Sequence, residues 1–474
     1  MKSSFLLVLC FASVLCFSQK QGNNWYFGDH AGLNFNTNPP SPLLNGQTYF
    51  VGTELWNEGC SSISDSSGAL LFYSNGVRIW DRNQLIMPNG DSLLGNVSST
   101  QSCVILPLPN SSRLFYVFTS DAVENHYANG LRYSLVDMCM NGGNGDVIVS
   151  QKNVLLLDTI PEKMTAIKNS NGIDYWILTH KYNSDAFYAF DLSSSGMSTP
   201  VISHTGKKDS NQAGGGQMII SPNGTKIGYT VPSAANGFSL LLDFNTTTGI
   251  VSNQLILDTL NTEYGISFSP DNSKLYFSTV GHGELFQYNL NAGSPTAIIA
   301  SKTWIFQGKP DSWRAHQLGP DGQIYIARAG KNYLSLIASP NSAFPGCNYI
   351  DSAIYLGGKL ASFGLPNLIS SYSYSNSQVL CPTNIEDKYL NIVGSASPNP
   401  TDNLTNIPFQ LSGGVHQGFI VIYNIQGQEM KCFAVDKTFT SLLISTSDIP
   451  AGTYYYQLQT SGNSSAGKKL IVIK

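Results

Sequence analysis

One turn pattern returns along most of this chain, each time ahead of an aromatic strand. Ser221-Pro222-Asn223-Gly224, Ser269-Pro270-Asp271-Asn272 and Gly319-Pro320-Asp321-Gly322 lead into Lys226–Tyr229, Lys274–Phe277 and Gln323–Ile326. Proline presets φ for the first corner of such a turn, and Asn, Asp or Gly tolerates the left-handed second corner. Weaker copies are Ser64-Asp65-Ser66-Ser67-Gly68 before Phe72, Pro109–Ser112 before Phe115 and Asn169–Gly172 before Tyr175. With Tyr26, Phe72, Phe115, Tyr175, Gly228, Tyr276 and Tyr325 as anchors, the gaps are 46, 43, 60, 53, 48 and 49 residues. That is the period of four-stranded propeller blades, and two stacked sandwiches would not give it. Several anchors are followed by another alternating run that ends in Asp or Asn, such as Phe187–Asp191, Leu240–Asn245 and Leu285–Asn289. The pattern predicts an all-β chain with a seven-bladed β-propeller and no amphipathic helix. The first copy, Trp25–Gly28, has no strand ahead of it, and Tyr349–Tyr374 has strands without a turn copy. Both ends are therefore expected to complete one blade.

Composition agrees. Of 474 residues only 12% are charged, against about 25% in an average soluble protein, while 11% are aromatic and Gly and Pro number 44 and 22. Coiled coils and charge-rich disorder are excluded by this balance. A net charge of -4 leaves no basic footprint for nucleic acid.

The amino terminus reads as an export signal: Met1-Lys2, an apolar stretch from Phe5 to Phe17, then Ser18-Gln19. This mostly apolar stretch of thirteen residues is too short to span a bilayer but suits a signal-peptide core. Cleavage is expected after Ser18; lipidation of Cys16 is the alternative, disfavoured by the bulky Leu15 before it. No later run reaches 18 apolar residues, so no transmembrane span is expected. Beyond the signal lie Cys60, Cys103, Cys139, Cys347, Cys381 and Cys432, widely spaced and without Cys-x-x-Cys. A zinc site is not expected, and one or two disulfides are, with the pairing open.

After the Ser- and Tyr-rich stretch 370–377 the repeat stops. The remaining signals are Ser397-Pro398-Asn399-Pro400 before a strand, Val421–Gln428 running into a turn at Gly427, Ile449–Tyr456 with Gly452 and Tyr454, and the terminal strand from Lys468 and Lys469. Short strands separated by Pro and Gly turns predict a small Ig-like β-sandwich. In that order at the extreme carboxyl end, these motifs resemble the C-terminal sorting domain (type A) of the type IX secretion system of Bacteroidota. The resemblance implies export cargo: the sorting domain is read by the outer-membrane translocon and usually removed, with the protein released or attached at the surface. The division expected is a signal peptide at 1–18, a propeller at 19–375, a linker at 376–388 and the sorting domain at 389–474. The segments Asn24–Gly28, Leu71–Gly76, Gly130–Asp137, His316–Gly322 and Gly364–Asn367 resemble secreted propeller-like (WD-repeat-like) proteins of the same bacteria, a group that supplies no established activity.

Chemistry must come from the residues. Reading back from each turn to the start of the innermost strand gives Glu58, Gln101, Glu162, Lys163, Gln217, Glu263, Arg314 and His316. A ring of acids, amides, two bases and a His at one mouth of the channel would suit a polar ligand such as a sugar, or acid–base chemistry; a solvated mouth also needs polar side chains in any case. Ser64–Gly68 lacks the tryptophan that closes the sialidase Asp-box and reads as a turn. Ala213–Gln217 lacks the Lys-Ser or Lys-Thr of a phosphate loop, and its glycines suit close strand approach. Tyr372, Tyr374 and Tyr454–Tyr456 could stack on sugars, but neighbours in a strand point to opposite faces, which favours packing. The function expected is exported cargo whose propeller, as a monomer, binds a glycan or protein ligand. The alternative is a secreted propeller enzyme, lactonase-like or glycan-active, with its site at the mouth. No cofactor or metal is expected, and partners beyond the ligand are the translocon and sorting machinery.

Overall fold

The computed structural model describes residues 19–49, 57–208, 214–233, 235–259, 262–308, 313–371, 374, 379, 381, 392–411, 415–460, 463–465 and 467–473. The expected signal peptide at 1–18 and Tyr372 lie outside the described residues, as does most of the expected linker.

Seven antiparallel sheets follow one another along the chain. Blade one is Asn24–Phe27, Ala31–Asn34 and Ser41–Leu43; blade two is Ser61–Ser64, Leu70–Ser74 and Ile79–Asp81. Blade three runs from Cys103–Pro107 through Leu114–Ser120 to Leu131–Asp137, with Asp146–Val147 and Val154–Leu157 at its edge. Blade four is Met164–Lys168, Tyr175–His180 and Ala186–Ser193, edged by Gly196–Met197 and Val201–His204. Blade five is Met218–Ile220, Lys226–Val231, Phe238–Phe244 and Val251–Asp258. Blade six is Glu263–Phe268, Lys274–Thr279, Glu284–Asn289 and Thr303–Gln307; blade seven is Trp313–Leu318, Ile324–Arg328, Tyr333–Ile337 and Tyr349–Tyr355. All seven sequence anchors fall on the strand next to the innermost position. The chain is a β-propeller.

The burial pattern explains the composition. Inner strands such as Glu263–Phe268 and Ile324–Arg328 are buried at every position, because both faces of a blade are covered by neighbouring blades. Only outer strands such as Val251–Asp258 and Tyr349–Tyr355 reach solvent. Aromatic and branched side chains fill the interfaces: Trp176, Leu178 and Phe187 of blade four meet Tyr229, Leu240 and Phe244 of blade five. Trp25, Phe27 and Leu33 of blade one meet Tyr325 and Leu334 of blade seven, which brings the first blade against the last.

Blade one lacks an innermost strand of its own, and residues 360–369 take that place. Asp29 bridges Leu360, Ala315 N donates to Phe363 O, Cys60 bridges Pro366, and Asn367 N donates to Cys60 O at 2.7 Å. The segment thus lies between the inner strands of blades seven and two. Gly364 passes so close that a Cβ there would lie 1.4 Å from Glu58 O, so no side chain fits. The chain ends therefore complete one blade, as the anchor pattern predicts.

A short helix, Pro295–Ala300, departs from the expectation of none. Ser294 Oγ accepts from Ala297 N and Pro295 occupies the first turn, so capping sustains a helix too short to carry a periodic signal. The turns behave as read: Asp65 Oδ1 accepts from Ser67 N, Ser67 Oγ and Ala69 N.

The carboxyl-terminal unit is a two-sheet sandwich. Ile392–Val393, Leu404–Gln410 and Ser441–Ser445 form one sheet; Glu429–Asp436, Gln417–Tyr423, Gly452–Thr460 and Lys468–Val472 form the body of the other. Ile407, Phe409, Ile420, Tyr454, Tyr456, Leu458 and Leu470 fill its core, while Tyr455 between them is exposed, as strand alternation requires. The sequence motifs meet here: Asn399 Nδ2 donates to Lys469 O and its Oδ1 accepts from Ile471 N, both at 2.8 Å, clamping the last strand. Gly427 takes φ 79 in its turn, and Lys468 Nζ donates to Ser395 Oγ.

Asn367 is the axial pin of the closure: its Nδ2 donates to Met164 O at 3.0 Å and its Oδ1 accepts from Gln101 Nε2 at 3.3 Å. Asn367→Ala should cost about 2–3 kcal/mol by leaving those buried groups unpaired. Denaturant midpoints measure this, and an unchanged midpoint would show that the pin is not needed.

Candidate functional site

The eight residues predicted for the channel mouth separate into three groups. Glu58, Glu162 and Arg314 come together with Thr100, Tyr264 and Phe363. Gln101, Gln217 and His316 lie one or two residues further along their strands and close the channel. Lys163 and Glu263 leave the axis and are buried.

In the first group one hydroxyl joins the two acids. Thr100 Oγ1 donates within reach of Glu58 Oε2 at 3.2 Å and Glu162 Oε2 at 3.0 Å. Glu162 is held further by Thr100 N on Oε2 and Val123 N on Oε1, each at 3.1 Å. The Tyr264 phenol donates to Glu58 Oε2 at 2.5 Å. Both of these bonds to Glu58 fall on Oε2. The Arg314 guanidinium stacks on Phe363 at 4.2 Å and lies 5.9 Å from the Tyr264 ring centre. Both acids are buried, Glu58 at 6% and Glu162 at 4% exposed. Burial, then the charge of Glu162, drives the Glu58 carboxyl well above the usual range, while Tyr264, Thr100 and Arg314 draw it back. Burial likewise raises Glu162, opposed by the Val123 and Thr100 amides. Two acids in one dry pocket cannot both be charged at little cost, so the proton they share rests on Glu58, the less well bonded of the two. The arrangement offers a neutral acid, a carboxylate, a phenol and a guanidinium at one mouth.

Below this cluster the channel is filled by side-chain amides. Gln101 Nε2 donates to Met218 O at 3.0 Å and Gln101 Oε1 accepts from Met218 N at 2.8 Å, joining blades three and five. Gln217 Oε1 accepts from His316 N and Ile266 N, and its Nε2 donates to His316 O, joining blades five, six and seven. These amides pair with strand edges facing the axis, as a buried amide must. His316 is buried with no partner on either ring nitrogen among the described residues, and burial pushes its pKa down to about 3. It is a neutral ring in a packed wall.

Lys163 Nζ donates to Gly214 O at 2.6 Å and lies 4.9 Å above the Tyr229 ring. Gly214 is held against Tyr127, where a Cβ would fall 2.0 Å from its hydroxyl, so the glycine run does serve close packing. Glu263 is fully buried between blades five and six; burial pushes its pKa up to about 8, with Ser239 and Lys302 opposing and Asp258 and Glu284 reinforcing.

The strand period accounts for what the sequence reading mixed. Moving one residue along a strand turns the side chain to the other face. Thr100 precedes Gln101, and Tyr264 follows Glu263 across a register shift between Glu263 and Gly265. Thr100 and Tyr264 were therefore missed. The more polar residue at each position is their neighbour, Gln101 or Glu263. No group of three or more His, Cys, Asp or Glu residues that could hold a metal occurs among the described residues.

Residues 395–474 match the family of secretion system C-terminal sorting domains. Comparison with curated protein sequences returns no match. Among solved structures, a Lactobacillus plantarum protein is similar at TM-score 0.44 and 14% identity, over 73% of this chain and 98% of the other. A 6-phosphogluconolactonase candidate from Bacteroides fragilis reaches TM-score 0.47 at 11% identity, over 73% and 98%. Kuenenia stuttgartiensis hydrazine synthase reaches 0.41 at 12%, over 70% and 96%. Likenesses this distant say nothing about chemistry. The sorting domain makes the protein cargo of a secretion system, exported by way of the periplasm, and its machinery a partner. No helix among the described residues is long and apolar enough to cross a membrane.

The folded Glu263 keeps its proton to about pH 8, whereas an unfolded glutamate loses it near 4.5. Its contribution is full below pH 4.5 and is lost as pH rises through 8. Glu263→Gln cannot ionise, so its melting temperature should gain on the parent's as pH goes from 5 to 9. A parent-to-variant gap that does not move with pH would refute this.

Proposed function

We propose that this exported cargo is a surface or extracellular binding module whose propeller holds a hydroxyl-rich ligand, a glycan, at the mouth formed by Glu58, Glu162, Tyr264 and Arg314. The observation that carries the reading is the buried acid pair, Glu58 and Glu162, joined by the Thr100 hydroxyl and bonded by the Tyr264 phenol, with the Arg314 guanidinium beside that phenol's ring. A protonated acid, a carboxylate, a phenol and a guanidinium set close together suit the alternating donors and acceptors of sugar hydroxyls. The amides and His316 below the cluster give it a floor, so the ligand rests on the mouth and does not enter the channel.

A second reading is a glycan-active hydrolase, favoured by the pairing of a protonated with an ionised carboxyl. Glu162 argues against it: three hydrogen bonds from Thr100 and Val123 commit that carboxylate to holding loops.

A glycan array with the full exported chain tests the binding reading. Retention of a glycan should fall about tenfold or more in Arg314→Ala, and should change in Glu58→Gln far less than in Glu58→Ala, because a neutral amide replaces a neutral acid. Equal retention by all four proteins would sink it. Turnover of a retained glycan, abolished in Glu58→Gln, would favour the hydrolase. For sorting, removal of residues 395–474 should leave the protein in the periplasm, and normal surface delivery of the truncation would refute that role.

A further inference from the structure

We propose that residues 360–371, with Tyr374, Val379 and Cys381, form a redox-locked clasp: the Cys139–Cys381 disulfide fixes the chain end that closes the propeller, so closure is completed after export and does not depend on the sorting domain. That the mouth is a ligand site rests on the reading above; the clasp itself does not.

The path of the chain carries the argument. After blade seven the segment from Leu360 to Asn367 fills the inner position beside blade one. Leu365 and Leu368 are buried with Trp25 and Tyr325 where the first and last blades meet. The chain then crosses to the far side: Ile369 and Tyr374 are buried among Val104, Phe118, Tyr175 and their neighbours of blades three and four, and Val379 packs on the same cluster. Cys381 is joined to Cys139, at the end of the third strand of blade three. The closing segment is thus held at both ends, by hydrogen bonds at the seam and by a covalent bond at blade three, two blades on from the seam.

The same segment builds the mouth. Phe363 lies under Arg314, and Gly364 abuts Glu58 O. Loosening the segment would remove the support of both residues together. The bond ends at Cys381, ahead of residue 395 where the sorting-domain match begins. The covalent lock therefore lies outside the matched domain.

Forming the bond takes two electrons and two protons from the two thiols. A disulfide oxidant accepts them by exchange and leaves as two thiols; the cytoplasmic thiol pool opposes the reaction and an oxidising exterior favours it. Cys381 is exposed and Cys139 half-buried, so reductant can reach the bond. Cys60, Cys103 and Cys347 are buried free thiols, and Cys432 is an exposed one.

The test uses the full exported chain carrying Cys432→Ser, oxidised, or reduced with dithiothreitol, beside the Cys139→Ser/Cys381→Ser double variant. The oxidised protein should melt about 5 °C or more above the reduced one, and the double variant should melt with the reduced form and ignore dithiothreitol. A site-specific protease sequence inserted after Thr383 adds a second measurement: cutting there should leave the propeller transition of the oxidised chain unchanged. Oxidised and reduced forms that melt together overturn the lock, and a cut that lowers the oxidised transition overturns independence from the sorting domain. If the double variant fails to fold, reduction of the folded parent gives the same comparison. Glycan retention unchanged in Arg314→Ala with these melting differences intact would count against the ligand reading alone.

Discussion

Seven sheets set radially leave one seam, and the inner edge of the sheet at that seam has to be paired by chain from elsewhere. Here the need falls on blade one, whose strands begin at Asn24 with no inner strand ahead of them among the described residues. Residues 360–369 supply that edge, and the fit is tight enough that Gly364 admits no side chain against Glu58 O. The rest follows from it. With the seam closed, inner strands are covered on both faces, and a chain with few charges keeps its polar groups in turns.

Closure also sets the chemistry near the axis. Inner strands converge until their facing edges need partners that backbone alone does not provide, and the amides of Gln101, Gln217 and Asn367 satisfy edges of blades that are not neighbours. Those amides make the channel solid. Polar side chains that start one residue earlier have no strand edge to meet and gather above the plug, which is how two glutamates come to share a threonine hydroxyl in a protein poor in charge.

Blade number, seam and the sandwich were legible because each rests on turn residues at fixed offsets, a property of short segments. The mouth was legible only as a zone. Glu58, Glu162 and Arg314 were named, but so were Gln101, Gln217 and His316, since which face a side chain takes depends on register, and a local shift between Glu263 and Gly265 in blade six carries no sequence mark. Thr100 and Tyr264 had no signal of their own beyond lying next to residues that did. The pairing of Cys139 with Cys381 depends on a path that crosses the ring, which spacing alone does not encode.

The disulfide spans 242 residues of sequence, and this turns blades four to seven, with the seam segment, into one covalent loop. A single backbone cut anywhere inside that loop opens it but frees no fragment: both new ends stay bonded to the rest. The amino-terminal blades and everything after Cys381 are the only parts that one cut can release. The larger part of the ring is therefore proof against loss by a single nick.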